Sequence, residues 1–384
     1  MRPTFLLGQV VGDGMNPTMV GNGRQEMRFE LRALTGFRGL AATTIALAHF
    51  QKFYPTYLNA PFMWHNAVDL FFCLSGFTLS YVYRPESFKF SSYLTARVAR
   101  IYPLYLATLL IAGATIAWPA VDHTAYPARN AFSDFVLQIP ALNSWPIIGS
   151  GVHWDPPAWS ISVEWLCYLL LFPLLLVQRA PSSTPIRLLC IVVLSSISYS
   201  LFVRYFDSNV MLPQRYQAQT QWSYWVNSLR GAFGFTAGWL VFRCFEKRDG
   251  IYVFCARFHW LIWCSMGLIV AFAYCDHINP QALVFLFPFA VLAATDQTSA
   301  SSRLLGTKGL HFLGVISYSI YMTHFVVFVC LLDAFGPPAT WTISIYAAAI
   351  ILAAAVFTIS YFMIEKPARD AIRAQRPIRP LRPE

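Results

Sequence analysis

The chain contains the segment Arg38-Gly-Leu-Ala-Ala-Thr-Thr-Ile-Ala-Leu-Ala-His49, in which an arginine and a histidine flank a run apolar enough for a lipid bilayer. In an α-helix, eleven residues advance about 16 Å and complete about three turns, so Arg38 and His49 lie on one face. An ionisable group inside a spanning helix costs about 3 kcal/mol on insertion scales and rarely stays there without a partner or a task. The segment therefore predicts a membrane helix with functional groups near both ends.

The composition of the whole chain is that of a polytopic membrane protein. Of its 384 residues, 57% are hydrophobic and 12% are charged, whereas about a quarter of the residues in soluble proteins are charged. The net charge is +10, but the basic residues lie in short clusters between apolar runs, which is typical of cytoplasmic loops and not of a nucleic-acid-binding surface. The eight cysteines form no CxxC pair, which argues against a disulfide framework or a zinc site.

Ten apolar windows approach the length that crosses a bilayer. They cover residues 34–54, 62–83, 101–120, 158–177, 188–206, 222–242, 258–274, 281–294, 310–332 and 341–364. With ten crossings, 23 of the 28 Lys and Arg residues fall on one side, the exceptions being Lys52, Arg129, Arg204, Arg215 and Arg230. We therefore expect an all-α polytopic membrane protein with about ten transmembrane helices and both termini in the cytoplasm.

The windows divide the chain into three parts. Residues 1–33 are predicted to be a disordered N-terminal tail, residues 34–366 a transmembrane domain and residues 367–384 a basic cytoplasmic tail. Met27 directly precedes the charged entry to the first window and is a candidate alternative start.

Two segments do not fit a simple series of spans. Residues 121–157 contain a short apolar stretch interrupted by polar residues and Pro140. We interpret them as an outer loop with an interfacial or re-entrant helix, because another crossing would reverse the sidedness of the later basic clusters. The eighth window is short, and Pro288 is expected to kink it.

Three titratable residues fall in the outer halves of their predicted helices: His49, Asp69 and Glu164. An imidazole that acts as a general base needs an acceptor that fixes its tautomer and stabilises its protonated form. We therefore predict that His49 is a catalytic base with Glu164 or Asp69 as its partner. In the alternative interpretation, the two acids neutralise one another or a buried arginine.

Two arginines three residues apart, Arg97 and Arg100, stand at the cytoplasmic entry to the third window. Guanidinium groups bind phosphate in a bidentate manner, so the pair is a candidate phosphate clamp. Topological anchoring is the alternative, and the spacing alone favours it.

Further polar residues recur in mid-membrane. Ser160, Glu164 and Tyr168 stand four residues apart on one helical face, and the ninth window contains Tyr318 and His324. These side chains are candidates for lining a substrate cavity. Their hydroxyl groups also commonly bond to the preceding turn or link neighbouring helices.

Together these segments resemble the acyltransferase-3 family of integral-membrane acyltransferases. The similarity is carried, in family order, by Arg38 and His49 with ten residues between them, Asp69-Leu-Phe-Phe-Cys-Leu-Ser-Gly-Phe77, Arg97-Val-Ala-Arg-Ile-Tyr-Pro103, Trp159-Ser-Ile-Ser-Val-Glu164 with Tyr168, Ser317-Tyr-Ser-Ile-Tyr-Met-Thr-His324, and Lys366-Pro367. The resemblance implies transfer of an acyl group, usually acetyl from acetyl-CoA, to a hydroxyl of a carbohydrate at the outer face of the bacterial cytoplasmic membrane.

The resemblance also implies roles for individual residues. His49 would be the catalytic histidine and Arg38 its paired motif arginine, while Arg97 and Arg100 would serve the donor. Acetyl-CoA would be a substrate, and no permanently bound cofactor or metal is expected. The expected partners are the lipid bilayer, a glycan or its lipid-linked precursor, and glycan-assembly proteins, but not nucleic acid. Cys167 departs from the family pattern, which often has an aromatic residue there.

The distance between Arg38 and His49 suggests a mechanism. The phosphates of the donor would bind near Arg97, Arg100 and Arg38, and its flexible arm would carry the thioester along the first helix to His49. Candidate oxyanion donors are Ser160, Tyr168 and Tyr318, and a covalent route through Ser75 or Ser160 is an alternative. Two other classes fit buried polar groups: a transporter or flippase for a glycan or lipid-linked intermediate, and a structural subunit of a glycan-assembly complex.

Overall fold

The computed structural model describes residues 30–51, 64–117, 132–149, 154–204, 221–275, 277–336 and 341–374. These residues confirm the all-α prediction, because they form helices and contain no strand. The α-helices are α1 (Arg32–Gln51), α2 (Trp64–Val82), α3 (Phe90–Ala117), α4 (Phe132–Gln138), α5 (Ala158–Leu166), α6 (Phe172–Val177), α7 (Thr184–Phe202), α8 (Gln221–Lys247), α9 (Gly250–Arg257), α10 (His259–Tyr274), α11 (Phe287–Ala293), α12 (Ala300–Leu305), α13 (Lys308–Val315), α14 (Ser317–Phe335), α15 (Ile343–Ser360) and α16 (Lys366–Ala374). The predicted disordered tail, except its last four residues, and Met27 lie outside the described residues.

Five helical segments among the described residues are long and apolar enough to cross a membrane. They are Phe90–Ala114, Ala158–Val177, Thr184–Phe202, Ser317–Phe335 and Ile343–Ala374. The pair α9 and α10, bent by 74°, is a sixth if it forms one span. Two other long helices, α1 and α8, are not among these segments. Polar residues such as Arg38 and Arg230 lower their mean hydropathy. Ten crossings and cytoplasmic termini therefore stay a prediction.

Several predicted spans are interrupted. The eighth window consists of a 3₁₀ segment, Pro280–Phe285, followed by α11. The break lies at Leu286, and Pro288 stands in the first turn of α11, where its missing N–H costs no helical hydrogen bond. The ninth window is likewise divided at Ile316, between α13 and α14.

The start of the predicted C-terminal tail is helical. A π-helical segment, Tyr361–Glu365, joins α15 to α16, and α16 packs against α3. Residues 367–374 therefore pack with the transmembrane domain, and residues 375–384 lie outside the described part of the chain.

The helices that position the site pack at unusually short range. A Cβ atom added to Gly39 would lie 2.3 Å from the backbone nitrogen of Gly314, and one added to Gly314 would lie 1.9 Å from the carbonyl oxygen of Thr35. These glycines allow the backbone of α1 to contact that of α13. As a result, α1 also packs along α14, which follows α13 directly.

Candidate active site

Helices α1 and α14 run side by side in the same direction, and polar residues meet at both ends of their contact. Nε of Arg38 donates to the hydroxyl of Ser317 at 3.1 Å, and Nη2 donates to the carbonyl oxygen of Gly314 at 3.1 Å. Eleven residues further along α1, the ring of His49 lies 4.8 Å from the ring of His324. Because eleven helical residues span about 16 Å, the site has two separate polar ends.

The first end is the arginine cluster, defined as Arg38, Arg97 and Arg100. Nη1 of Arg100 donates to Oε1 of Glu365 at 3.0 Å, and its guanidinium lies over the ring of Tyr318 at 5.7 Å. Arg38 interacts electrostatically with both Arg100 and Glu365. All three arginines are half-buried. The structure thus brings together the three arginines that the sequence assigned to the donor.

Arg97 lies in an aromatic environment. The carbon at the centre of its guanidinium is 5.8 Å from the ring of Tyr83, 5.9 Å from that of Tyr93 and 5.7 Å from that of Tyr168. Stacking of this kind stabilises a cation without neutralising it. The side chain therefore keeps its full charge inside the protein.

Glu164 lies at the arginine cluster. Its Oε1 accepts hydrogen bonds from the hydroxyls of Ser75 and Tyr168, and it interacts electrostatically with Arg38. These bonds hold Glu164 at the arginine cluster rather than at the imidazole of His49. The expectation that Glu164 would fix the orientation of His49 is therefore corrected.

Asp69 belongs to a different buried cluster. Its Oδ1 accepts from Nε of Arg230 at 2.8 Å, and its Oδ2 accepts from Nη2 of Arg230 at 3.2 Å and from the amide of Gln281 at 2.7 Å. Asp69 and Arg230 are each 1% exposed. Both carboxylate oxygens are engaged, so Asp69 neutralises a buried arginine, as in the alternative considered from the sequence, and does not orient His49. The ion pair also explains why Arg230 lies apart from the other basic residues.

The second end is the histidine pair, defined as His49 and His324. Nδ1 of His49 lies 3.0 Å from the carbonyl oxygen of Ile45, and Nδ1 of His324 lies 2.6 Å from that of Tyr321. A carbonyl oxygen only accepts, so each neutral ring carries its proton on Nδ1 and its lone pair on Nε2. Backbone carbonyl oxygens therefore orient the two imidazole rings, a role that the sequence analysis gave to a carboxylate.

The cavity residues predicted from the sequence divide between the two ends. The hydroxyl of Ser160 lies 2.5 Å from that of Tyr321, whose ring is 5.8 Å from the ring of His324. By contrast, Tyr168 bonds to Glu164 and Tyr318 stacks with Arg100, both at the arginine cluster. Ser160 is therefore associated with the histidine pair.

Two residues of the arginine end lie in π-helical segments. Tyr168 belongs to Cys167–Leu171, and Glu365 belongs to Tyr361–Glu365. Single π turns inside α-helices are frequent at functional sites. Glu365, which also accepts from the hydroxyl of Ser319 at 2.8 Å, was missed from the sequence. The sequence feature that could have identified Glu365 is an acidic residue directly after the apolar window 341–364.

Asp155, in the loop before α5, is a second residue that sequence reasoning missed. Its side chain is fully buried, and Oδ2 accepts from the hydroxyl of Thr108 at 3.1 Å. Burial raises the pKa of Asp155 to about 7, because the charged carboxylate loses its water, and the bond from Thr108 only partly opposes this. Asp155 also interacts with Tyr321, so a carboxyl that titrates near neutrality lies beside the residues around the histidine pair.

Known acyltransferases are among the proteins that this chain resembles. Residues 31–363 match the family profile of the acyltransferase domain of the acyltransferase-3 group. The chain is similar to acyltransferase MdmB of Streptomyces mycarofaciens, with 33% identity over 164 residues that cover 39% of this chain and 41% of the relative. It is also similar to protein 2 in the picA locus of Rhizobium radiobacter, with 39% identity over 85 residues that cover 21% of this chain and 43% of the relative. Each match thus spans less than half of the relative, and no solved structure matches significantly.

Proposed function

The chain belongs to the acyltransferase-3 family of membrane acyltransferases, and from this we propose that it moves acetyl from acetyl-CoA to a hydroxyl of a cell-surface glycan, an exopolysaccharide or a lipid-linked precursor. The family match favours an acyltransferase over a transporter, a flippase or a structural subunit. The observation that carries the proposal is the position of the arginine cluster and the histidine pair at opposite ends of the contact between α1 and α14. We propose the bacterial cytoplasmic membrane as its location.

The donor binds at the arginine cluster. Acetyl-CoA is cytoplasmic and carries several phosphate groups at one end, so the cluster faces the cytoplasm in this proposal. Arg97 and Arg100 bind phosphate oxygens through charge-assisted hydrogen bonds, and Arg38 adds a third positive charge. The flexible arm of the donor then extends along α1 and brings the thioester to His49.

His49 acts as the general base. Its Nδ1–H stays bonded to the carbonyl oxygen of Ile45, so Nε2 accepts the proton of the acceptor hydroxyl. As that oxygen bonds to the thioester carbon, the hydroxyl of Ser160 stabilises the oxyanion. The carbon–sulfur bond then breaks, and the imidazolium returns the proton to the thiolate of CoA. His324, whose buried Nε2 has no hydrogen-bond partner within the described residues, accepts a hydrogen bond from the acceptor.

Replacement of His49 tests the proposal. The variant His49→Ala should lower acetyl transfer by about 10²- to 10⁴-fold, which is the usual contribution of a positioned general base. The assay measures transfer from labelled acetyl-CoA to glycan in membranes that contain equal amounts of each protein. His311→Ala is the matched control, because His311 pairs with Glu30 near the start of α1 and should keep full activity. Near-normal transfer by His49→Ala would remove His49 from the chemistry.

The acceptor requires a separate measurement. Surface glycans from a deletion strain and a complemented strain can be compared by mass spectrometry and NMR. We expect acetyl esters that are present only when the protein is present. Identical glycans in the two strains would rule out a surface glycan as the acceptor.

A further inference from the structure

Helix α16 adds basic side chains to the end of the molecule that contains the arginine cluster. It packs against α3, and Glu365, Arg369 and Arg373 follow at four-residue intervals, which places them along one face. Nη1 of Arg369 lies 3.6 Å from Oε1 of Glu365, the same oxygen that accepts from Arg100. Arg373, one turn further, interacts electrostatically with Arg97, Arg100 and Arg369. Arg373 therefore lies at the edge of the arginine cluster.

Positive charge exceeds negative charge in this region. Among the described residues, the acids that interact with the arginine cluster, Arg369 or Arg373 are Glu164, Glu365 and Asp370. Glu365 is already shared between arginines. Arg373 is exposed and forms no ion pair with any residue in the described part of the chain. Like charges held this close repel one another, and an anionic ligand would relieve the repulsion.

The spacing indicates more than one anionic group on that ligand. Arg373 lies two turns beyond Glu365, or about 12 Å along the helix axis. A single phosphate beside Arg100, which bonds to Glu365, would therefore lie about two helical turns from Arg373. A ligand with two separated phosphate groups would reach both places, and CoA has this chemistry, with a pyrophosphate on one side of its ribose and a 3′-phosphate on the other.

We propose that Arg373 forms a second phosphate subsite, which binds the 3′-phosphate of CoA while Arg97 and Arg100 bind the pyrophosphate. This assignment rests on the proposed donor. The exposed position of Arg373 suits the nucleotide end of the ligand, which stays in water. The phosphate of a lipid headgroup has the same chemistry, and the test below distinguishes the two sources.

The test compares CoA with dephospho-CoA, which lacks only the 3′-phosphate. Both are titrated calorimetrically into the purified full-length protein in an uncharged detergent. The wild type should bind CoA about tenfold more tightly, or more, because a charge-assisted contact to phosphate is lost in dephospho-CoA. Arg373→Ala should weaken CoA binding by a similar factor and leave dephospho-CoA binding unchanged. Arg97→Ala should weaken both, and Arg303→Ala, at an exposed position on α12, should change neither.

Each other outcome has a definite meaning. If the wild type binds CoA and Arg373→Ala keeps the same preference for CoA over dephospho-CoA, the subsite is overturned and the proposed donor is retained. If the wild type binds neither compound, the donor proposal fails as well. If Arg373→Ala keeps its preference but copurifies with less anionic phospholipid by native mass spectrometry, the bound phosphate is that of a lipid headgroup. Arg373→Lys, which retains the charge, should recover part of the preference.

Discussion

The buried ion pair of Asp69 and Arg230 is expected to make a large contribution to the stability of the protein. Both side chains are nearly inaccessible, and Gln281 completes the hydrogen bonding of the carboxylate. Removal of one partner from a buried ion pair typically costs about 3–5 kcal/mol, because the other charge stays buried and unpaired, whereas replacement of both by apolar residues is often neutral. The pair thus holds α2 and α8 together.

This reasoning separates a structural Asp69 from a catalytic one. Asp69→Ala should strongly lower the melting temperature of the protein in detergent. The double variant Asp69→Leu, Arg230→Met should regain most of that stability and should retain acetyl transfer. The measurements are thermal unfolding and the labelled-acetyl assay on matched preparations. A double variant that is stable but inactive would indicate that Asp69 has a catalytic role.

At the scale of elements, the contact between α1 and the α13–α14 pair sets the site. Gly39 and Gly314 allow the backbones of α1 and α13 to come into contact. At this short distance, Arg38 donates a hydrogen bond to the carbonyl oxygen of Gly314. A methyl group at position 314 would overlap the backbone of α1, where no flexible side chain can move aside. The whole length of α1 would have to shift.

Gly314→Ala should therefore weaken CoA binding and lower the melting temperature, since overpacking of a close contact typically costs about 1–3 kcal/mol. The matched control is Gly267→Ala in α10, because nothing lies within 4 Å of an added Cβ there. That control should be neutral or slightly stabilising, as alanine is the better helix former. Equal behaviour of the two variants would contradict the importance of the close contact.

At the scale of the whole molecule, the proposed reaction requires a defined orientation in the membrane. The arginine cluster combines residues from α1 and α3, and Glu365 links it to the start of α16. The beginning and the end of the described chain thus meet at one end of the molecule. A cytoplasmic donor requires that end to face the cytoplasm.

Cysteine labelling tests this orientation. In a variant without native cysteines, Ile147→Cys in the loop after α4 should react with a membrane-impermeant maleimide in intact cells. Arg303→Cys in α12 should react only after the cells are permeabilised. Both positions are exposed, so accessibility of the thiol in the folded protein is not limiting. Reversed labelling would place the arginine cluster outside and exclude a cytoplasmic donor.

The sequence predicted the fold class and several candidate site residues better than it predicted the contacts between those residues. Arg38, Arg97 and Arg100 were recognisable because charges are rare in apolar runs, and the structure does bring them together. The partners of Asp69 and Glu164 were not predictable, because hydropathy gives the depth of a residue but not which neighbouring helix it faces. For the same reason the link between Glu365 and Arg100, residues 265 positions apart, became visible only in the structure.

The two π-helical segments suggest how the site can be recognised in other chains. A π turn contains more residues than an α turn, so Cys167–Leu171 and Tyr361–Glu365 each hold a local surplus of chain. Loss of a single residue there would restore a regular α-helix and change the face on which the side chains of the segment itself lie. Tyr168 or Glu365 would then turn away from the arginines. In an alignment of related chains, a one-residue gap at either segment would mark members that hold their donor differently.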